Sequence, residues 1–264
     1  QAVWFRAACG EPGQLMLVLH HLVVDGVSWR ILASDLLALW RARATGKNAR
    51  LTDAGTSFRA WAMRLEQEAQ RRGDELAHWQ SVLSQPDTLL TARPLAGARD
   101  TLATSASLQM ELGSEFTQPL LATLPARFHA GINDVLLCAF ALAITAWRED
   151  GQTDVLLDVE GHGREELAGT ALSHTVGWFT TLYPVRLAPG RAQLTHPHSL
   201  GSALKSVKEQ LRQVPGNGLG YGLLRYLNPQ TRPQLAALPQ PQIGFNYLGR
   251  FSVEEARDWQ LAAE

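Results

Sequence analysis

A chain of 264 residues is long enough for one large domain or two lobes of ordinary size. With 45% hydrophobic and 19% charged residues it can build a substantial core, and a formal net charge of −1 gives no handle for nucleic acid or an anionic membrane. The longest apolar run, Val135 to Trp147, is shorter than the ~18–20 residues of a membrane span, and Cys9 and Cys138 lie among apolar neighbours, as free thiols of a reducing cytoplasm do.

Residues 2–8 and 14–20 read as two strands joined by the turn "GEPG". The opening "QAVWFRAAC" has neither a basic start nor a cleavage site, so no signal peptide is expected. A chain that lacks an initiator Met and starts inside a strand reads as a piece of a longer polypeptide. From Ser28 the apolar positions Trp29, Leu32, Leu36 and Leu39 follow helical spacing, with a stop near Gly46. Two more amphipathic helices carry Phe58, Trp61 and Leu65, then Leu76, Trp79 and Leu83. Periodicity breaks in "SQPDTLLTARPLAGARD", and a lobe boundary is expected there, dividing the chain into 1–95 and 96–264.

Beyond it, "LATSASLQMEL" alternates like a half-buried strand. A helix from about Glu115 to Phe128 follows, then a buried helix capped by Asn133 or Asp134. "TDVLLDVEGHGREEL" reads as a strand running into a glycine turn, and "VGWFTTLYPVRL" as another strand. Leu200, Leu204, Val207 and Leu211 mark one more helix face, "GNGLGYGLLRYL" a glycine loop entering a short helix, and "QIGFNYLGRF" a last strand. Strands and helices alternate irregularly, which favours an α/β layered sandwich over a regular wheel.

Two constellations carry chemistry. In "LHHLVVDGVSWRIL", neighbouring side chains on a strand face opposite ways, so only one of His20 and His21 can address a cavity while the strand lasts. Asp25 sits where the chain reverses, and Gly26 is free to take an unusual backbone angle. A core histidine followed by a turn and a helix cap fits these residues, and so does an exposed acid–base histidine. In "EGHGREEL", Glu160 ends an apolar strand, where partial burial suits a carboxyl to general acid or base work. A glycine turn with a solvated charge cluster fits the same residues, and Arg164 can neutralise a buried carboxylate nearby. "GNGLGYG" lacks the third glycine of a dinucleotide fingerprint. His196 and His198 have no third ligand at useful spacing and read as a surface loop; no metal is expected.

The sequence resembles the epimerization domains of nonribosomal peptide synthetases, members of the condensation-domain superfamily related to chloramphenicol acetyltransferase. His20-His21-x-x-x-Asp25-Gly26 matches the superfamily signature, and "EGHGRE", "TVGWFTTLYPVRL", "GYGLLRYL" and "FNYLGRF" follow in the order of the epimerization motifs. The resemblance implies a two-lobe α/β sandwich of the chloramphenicol-acetyltransferase type, here truncated at both ends, with the active site between the lobes. It implies His21 and Glu160 as the catalytic pair, His20 as a brace for the strand, and Asn246 and Tyr247 in the same cavity, where the phenol would polarise the thioester carbonyl or steady an enolate. It makes Asp25 structural, with Gly26, and Arg164 the candidate partner of Asp25. The implied activity is L-to-D epimerization at the Cα of an aminoacyl or peptidyl thioester. The substrate rides on the phosphopantetheine of a carrier domain, so no directly bound cofactor is expected, and the neighbours would be adenylation and condensation domains in the cytoplasm. The alternative is a condensation domain that forms peptide bonds with the same histidine.

Overall fold

The computed structural model describes residues 1–8, 13–91, 93–148, 150–165, 167–190 and 196–249. The chain forms two compact units that interleave in sequence. The first takes residues 1–68, 161–181 and 248–264, and the second takes 69–160 and 182–247. Packing therefore groups residues 69–95 with the second unit and 161–181 with the first, whereas the division at 95 follows the break in periodicity.

In the first unit, β1 (Ala2–Phe5) and β2 (Gln14–Leu17) pair antiparallel, Ala2 opposite Leu17 and Phe5 opposite Gln14. Both strands are shorter than their apolar runs suggested, and part of the expected turn lies outside the described residues. The chain then makes a 3₁₀ turn, His21–Val23, and enters α1 (Gly26–Ala44). α2 (Phe58–Arg71) begins in this unit and sets Phe58 and Trp61 against Phe179.

The second unit holds a three-stranded sheet of order β4–β3–β5, with β3 at Val155–Gly161, β4 at Thr181–Leu187 and β5 at Gly244–Phe245. Alternation along β3 feeds two cores. Val155, Leu157 and Val159 pack with Val185 and Leu187 against α6 (Ile132–Arg148) and α7 (Pro197–Arg212). Leu156 faces the other way, into a cluster with Leu83 and with Trp79 of α3 (Leu76–Val82). Tyr221 of α8 (Leu219–Gly222), Leu224, and Leu235 of α9 (Arg232–Ala236) complete that cluster. Burial pushes the Cys138 thiol of α6 up to about 11, so it packs as a small hydrophobe. Cys9 lies outside the described residues.

Several expectations need correction. "LATSASLQMEL" forms no strand: only a 3₁₀ turn at Leu102–Thr104 appears. Leu102, Leu108 and Met110 are exposed by 90%, 90% and 82%, because alternation makes a strand only where a sheet edge accepts it. The strand in "VGWFTTLYPVRL" starts at Thr181, and that in "QIGFNYLGRF" is two residues long. The 115–128 helix is three pieces, α4 (Ser114–Gln118), a π turn (Pro119–Thr123) and α5 (Leu124–Phe128). Pro119 has no N–H for the helical ladder, which accounts for the shift of register at that residue. α6 starts before Asn133; Asp134, within its first turn, accepts from the Gly131 N–H at 2.7 Å. His196 immediately precedes α7 and His198 lies in its first turn rather than in a loop.

The aperiodic 84–100 segment is held by a buried ion pair. Arg148 grips Asp87 through both guanidinium ends at 2.7 Å, both side chains are 3% exposed, and Asp87 also accepts from the Leu156 N–H. The glycine loop is structural too. Gly218, at φ +81°, passes so close to Tyr183 that a Cβ there would fall inside its ring.

Among the described residues no single helix is long and apolar enough to cross a membrane. The bent pair 114–128 and 132–148 meets the length and composition together, with a 104° break.

Candidate active site

The first unit assembles its polar centre around the N-terminus of α1. Asp25 is the N-cap, its Oδ1 accepting from the Ser28 N–H at 2.7 Å, which satisfies one of the four free donors of the first turn. The same carboxylate takes Arg164 in a forked ion pair, Nη1 to Oδ2 at 2.7 Å and Nη2 to Oδ1 at 3.1 Å, and the Phe179 N–H at 3.1 Å. Arg164 also donates to Ser28 Oγ and to the Thr175 carbonyl, and its guanidinium lies 4.3 Å from the centre of the Phe179 ring. Burial pushes the Asp25 carboxyl up, but Arg164 and the Ser28 and Phe179 donors outweigh it and hold the group below its ordinary value. The cap reading and the buried-pair reading of Asp25 are thus both true.

Close packing dictates the glycine turn after β3. Gly163, at φ +66°, sits where a Cβ would fall on the Phe179 carbonyl oxygen. Gly26 differs from expectation: it is the first residue of α1, has no positive φ, and a Cβ there would meet nothing within 4 Å. Its conformational freedom is not used.

Both histidines lie beyond the end of the strand. β2 ends at Leu17, so His20 braces a turn instead of a strand, its Nδ1 accepting from the Leu22 N–H at 3.1 Å. His21 is exposed, and its ring lies 4.7 Å from that of Trp178.

In the second unit, Glu160 emerges near the end of β3. Register places it beside Asn246: Asp158 lies opposite Gly244 and Val159 opposite Phe245 in a parallel pair. Asn246 Nδ2 donates to Glu160 Oε2 at 2.6 Å. Tyr247 follows, half-buried. The first unit thus gathers His20, His21, Asp25 and Arg164, and the second gathers Glu160, Asn246 and Tyr247. Among the described residues no three His, Cys, Asp or Glu side chains cluster as metal ligands.

Sequence reasoning passed over Asp158, which shares the Glu160 face of β3 at a spacing of two. Burial pushes its carboxyl up to about 6, and burial with the Asp158 charge pushes Tyr221 up to about 12. A carboxyl raised above its unfolded value of about 3.9 contributes most at pH below that value, and the contribution is lost as pH rises through about 6. Asp158→Asn is therefore expected to stabilise the second unit at pH 7 by about 1–2 kcal/mol, the ~3 kcal/mol ceiling set by the raised carboxyl being reduced by solvent screening, with little gain at pH 4. Urea-dependent proteolysis of β3 peptides at both pH values reads this. Equal midpoints at pH 7 would show that the carboxyl is not strained by burial.

The profile of the condensation domain matches residues 11–263. The chain belongs to the condensation-domain family. This condensation-family chain is 44% identical over 251 residues to chondramide synthase cmdD of Chondromyces crocatus, covering 91% of the chain and 6% of that protein. It is 40% identical over 259 residues to a linear gramicidin synthase of Brevibacillus parabrevis, covering 95% and 5%. Among solved structures it is similar to the epimerization domain from the third module of tyrocidine synthetase B, with TM-score 0.78, 33% identity, and 91% and 54% of the two chains covered. The first condensation domain of the calcium-dependent antibiotic synthetase shares the fold at TM-score 0.61 and 20% identity, covering 93% and 50%. The chain thus spans about half of these solved domains and a small part of the curated relatives, and its fold is the α/β fold of condensation domains.

Proposed function

We propose that this chain belongs to an epimerase, inverting the Cα of an aminoacyl or peptidyl residue held as a thioester on a carrier domain's phosphopantetheine. The observation that carries the reading is Glu160, presented from β3 with an amide donor on one carboxylate oxygen. Inversion needs one group to take the α-proton from one face and a second to return a proton to the other. Acyl transfer through His21 does not call for that carboxylate. Similarity to a solved epimerization domain at 33% identity supports the same choice.

In this reading His21 and Glu160 are the two acid–base groups, each contributing typically ~10²–10⁴-fold. The thioester acidifies the Cα–H bond, the electron pair left behind delocalises into the carbonyl as an enolate, and the Tyr247 phenol donates to that oxygen while Asn246 stays on Glu160. Asp25 and Arg164 hold the histidine segment and touch no substrate. The partners would be a carrier domain with adenylation and condensation neighbours, in the cytoplasm, and no metal or directly bound cofactor takes part.

A condensation activity is the second reading, because the matching family profile is that of the condensation domain. The deciding experiment loads a matching carrier with L-substrate, adds the full-length protein in deuterated water, and reads α-deuterium and chirality after hydrolysis. Deuterated D-product supports epimerization. Peptide-bond formation that survives Glu160→Gln, with no α-deuterium, supports condensation.

A further inference from the structure

A histidine that works as a base is ordinarily oriented by a partner on its second ring nitrogen. The nearest carboxylate in sequence, Asp25, is occupied: its two oxygens take the Ser28 N–H, both Arg164 amino groups and the Phe179 N–H. Among the described residues the His21 side chain makes no hydrogen bond. What it has is the Trp178 indole, with ring centres 4.7 Å apart and planes tilted by 55°.

Trp178 is itself held on both sides. The Ser28 hydroxyl donates to the Gly177 carbonyl at 2.9 Å and accepts from the Gly177 N–H at 3.0 Å. On the other side, the Phe179 N–H is bound by Asp25 and the Phe179 ring packs on Phe58 and Trp61. A Cβ at Gly177 would strike the Phe58 and Phe179 rings, so the chain lies close on that packing. An indole that stays 43% exposed on so firmly tied a backbone is not stray surface.

We propose that Trp178 is the positioning residue for His21, fixing the imidazole plane by ring contact so that both nitrogens stay free for proton transfer. The inference rests on the acid–base reading of His21. It also gives the Ser28–Gly177 and Asp25–Phe179 bonds a purpose: they place the indole.

The test uses the full-length protein with a loaded carrier, the variants Trp178→Ala and Trp178→Phe, and each of these in a His21→Ala background. Diethyl pyrocarbonate labelling, mapped by peptide mass spectrometry, reads the imidazole directly. Labelling of His21 should quicken severalfold in Trp178→Ala and stay near wild type in Trp178→Phe, with His20 unchanged. For α-proton exchange, Trp178→Ala should lower kcat by about 10- to 100-fold with KM within about twofold. Trp178→Phe should restore most of that loss, and Trp178→Ala should cost nothing further once His21 is Ala. Unchanged His21 labelling, or equal kcat losses in both backgrounds, overturns the proposal. If the wild type exchanges no α-proton, the epimerization reading falls, and the labelling rates still decide whether Trp178 holds His21.

Discussion

Asp25→Asn is expected to cost the first unit about 3–5 kcal/mol, the usual penalty for breaking one side of a buried ion pair. The substitution keeps an acceptor for the Ser28 N–H, so the cap survives in part. What it strands is Arg164, whose side chain is 7% exposed and loses its counter-charge. Because the Asp25 carboxyl is held below its ordinary value, its contribution is fully present above the unfolded value of about 3.9. It is lost as pH falls below that toward the folded value. The gap between wild type and Asp25→Asn should therefore be widest at neutral pH and narrow below about pH 4. Proteolysis in urea, following cleavage around residues 20–30 and 161–181, measures it. An Asn variant with a normal midpoint and no turnover would make Asp25 a participant in the chemistry.

The second large effect is expected from the acid–base pair. If His21 and Glu160 serve opposite faces of the Cα, each single variant should lose inversion by about 10²-fold or more while keeping exchange on one face. One of His21→Ala and Glu160→Gln should still wash deuterium into the L-substrate with little D-product, and the other should do so preferentially from the D-substrate. Removing both should abolish exchange from either enantiomer. Quench-flow sampling of both labelled enantiomers separates this from a one-base mechanism, in which one single variant loses everything and the other stays near normal. Inversion at the wild-type rate by Glu160→Gln would falsify the pairing.

What could be read ahead of the structure follows physical locality. The helices around Trp29, Trp61, Trp79 and Leu204 announce themselves because each repeats its apolar positions within a few turns. Asp25 ahead of a helical pattern is a cap signal of the same kind, whereas Arg164 becomes its candidate partner only through the resemblance to epimerization domains. Residues 102–112 show the limit: their alternation is local, but a strand exists only with a partner that sequence does not name. α9 was hidden by its five-residue length and by Pro233 in its first turn. Asp158 was visible as period two with Glu160, yet its burial, and the effect of its charge on Tyr221 63 positions later, arise only from tertiary packing. Trp178 is legible only once Gly177 and Phe179 are seen tied to α1.

The interleaving of the two units bears on synthesis. Arg164 lies 139 residues after Asp25, so the carboxylate that caps α1 leaves the ribosome long before its counter-ion exists. At ~5–20 residues per second, that interval is roughly 7–28 s. Throughout it the residues of the second unit up to Glu160 are already being made. The nascent segment around Asp25 must wait, half-assembled, on a stretch delivered from beyond β3, and this waiting intermediate is where chaperones would engage the chain.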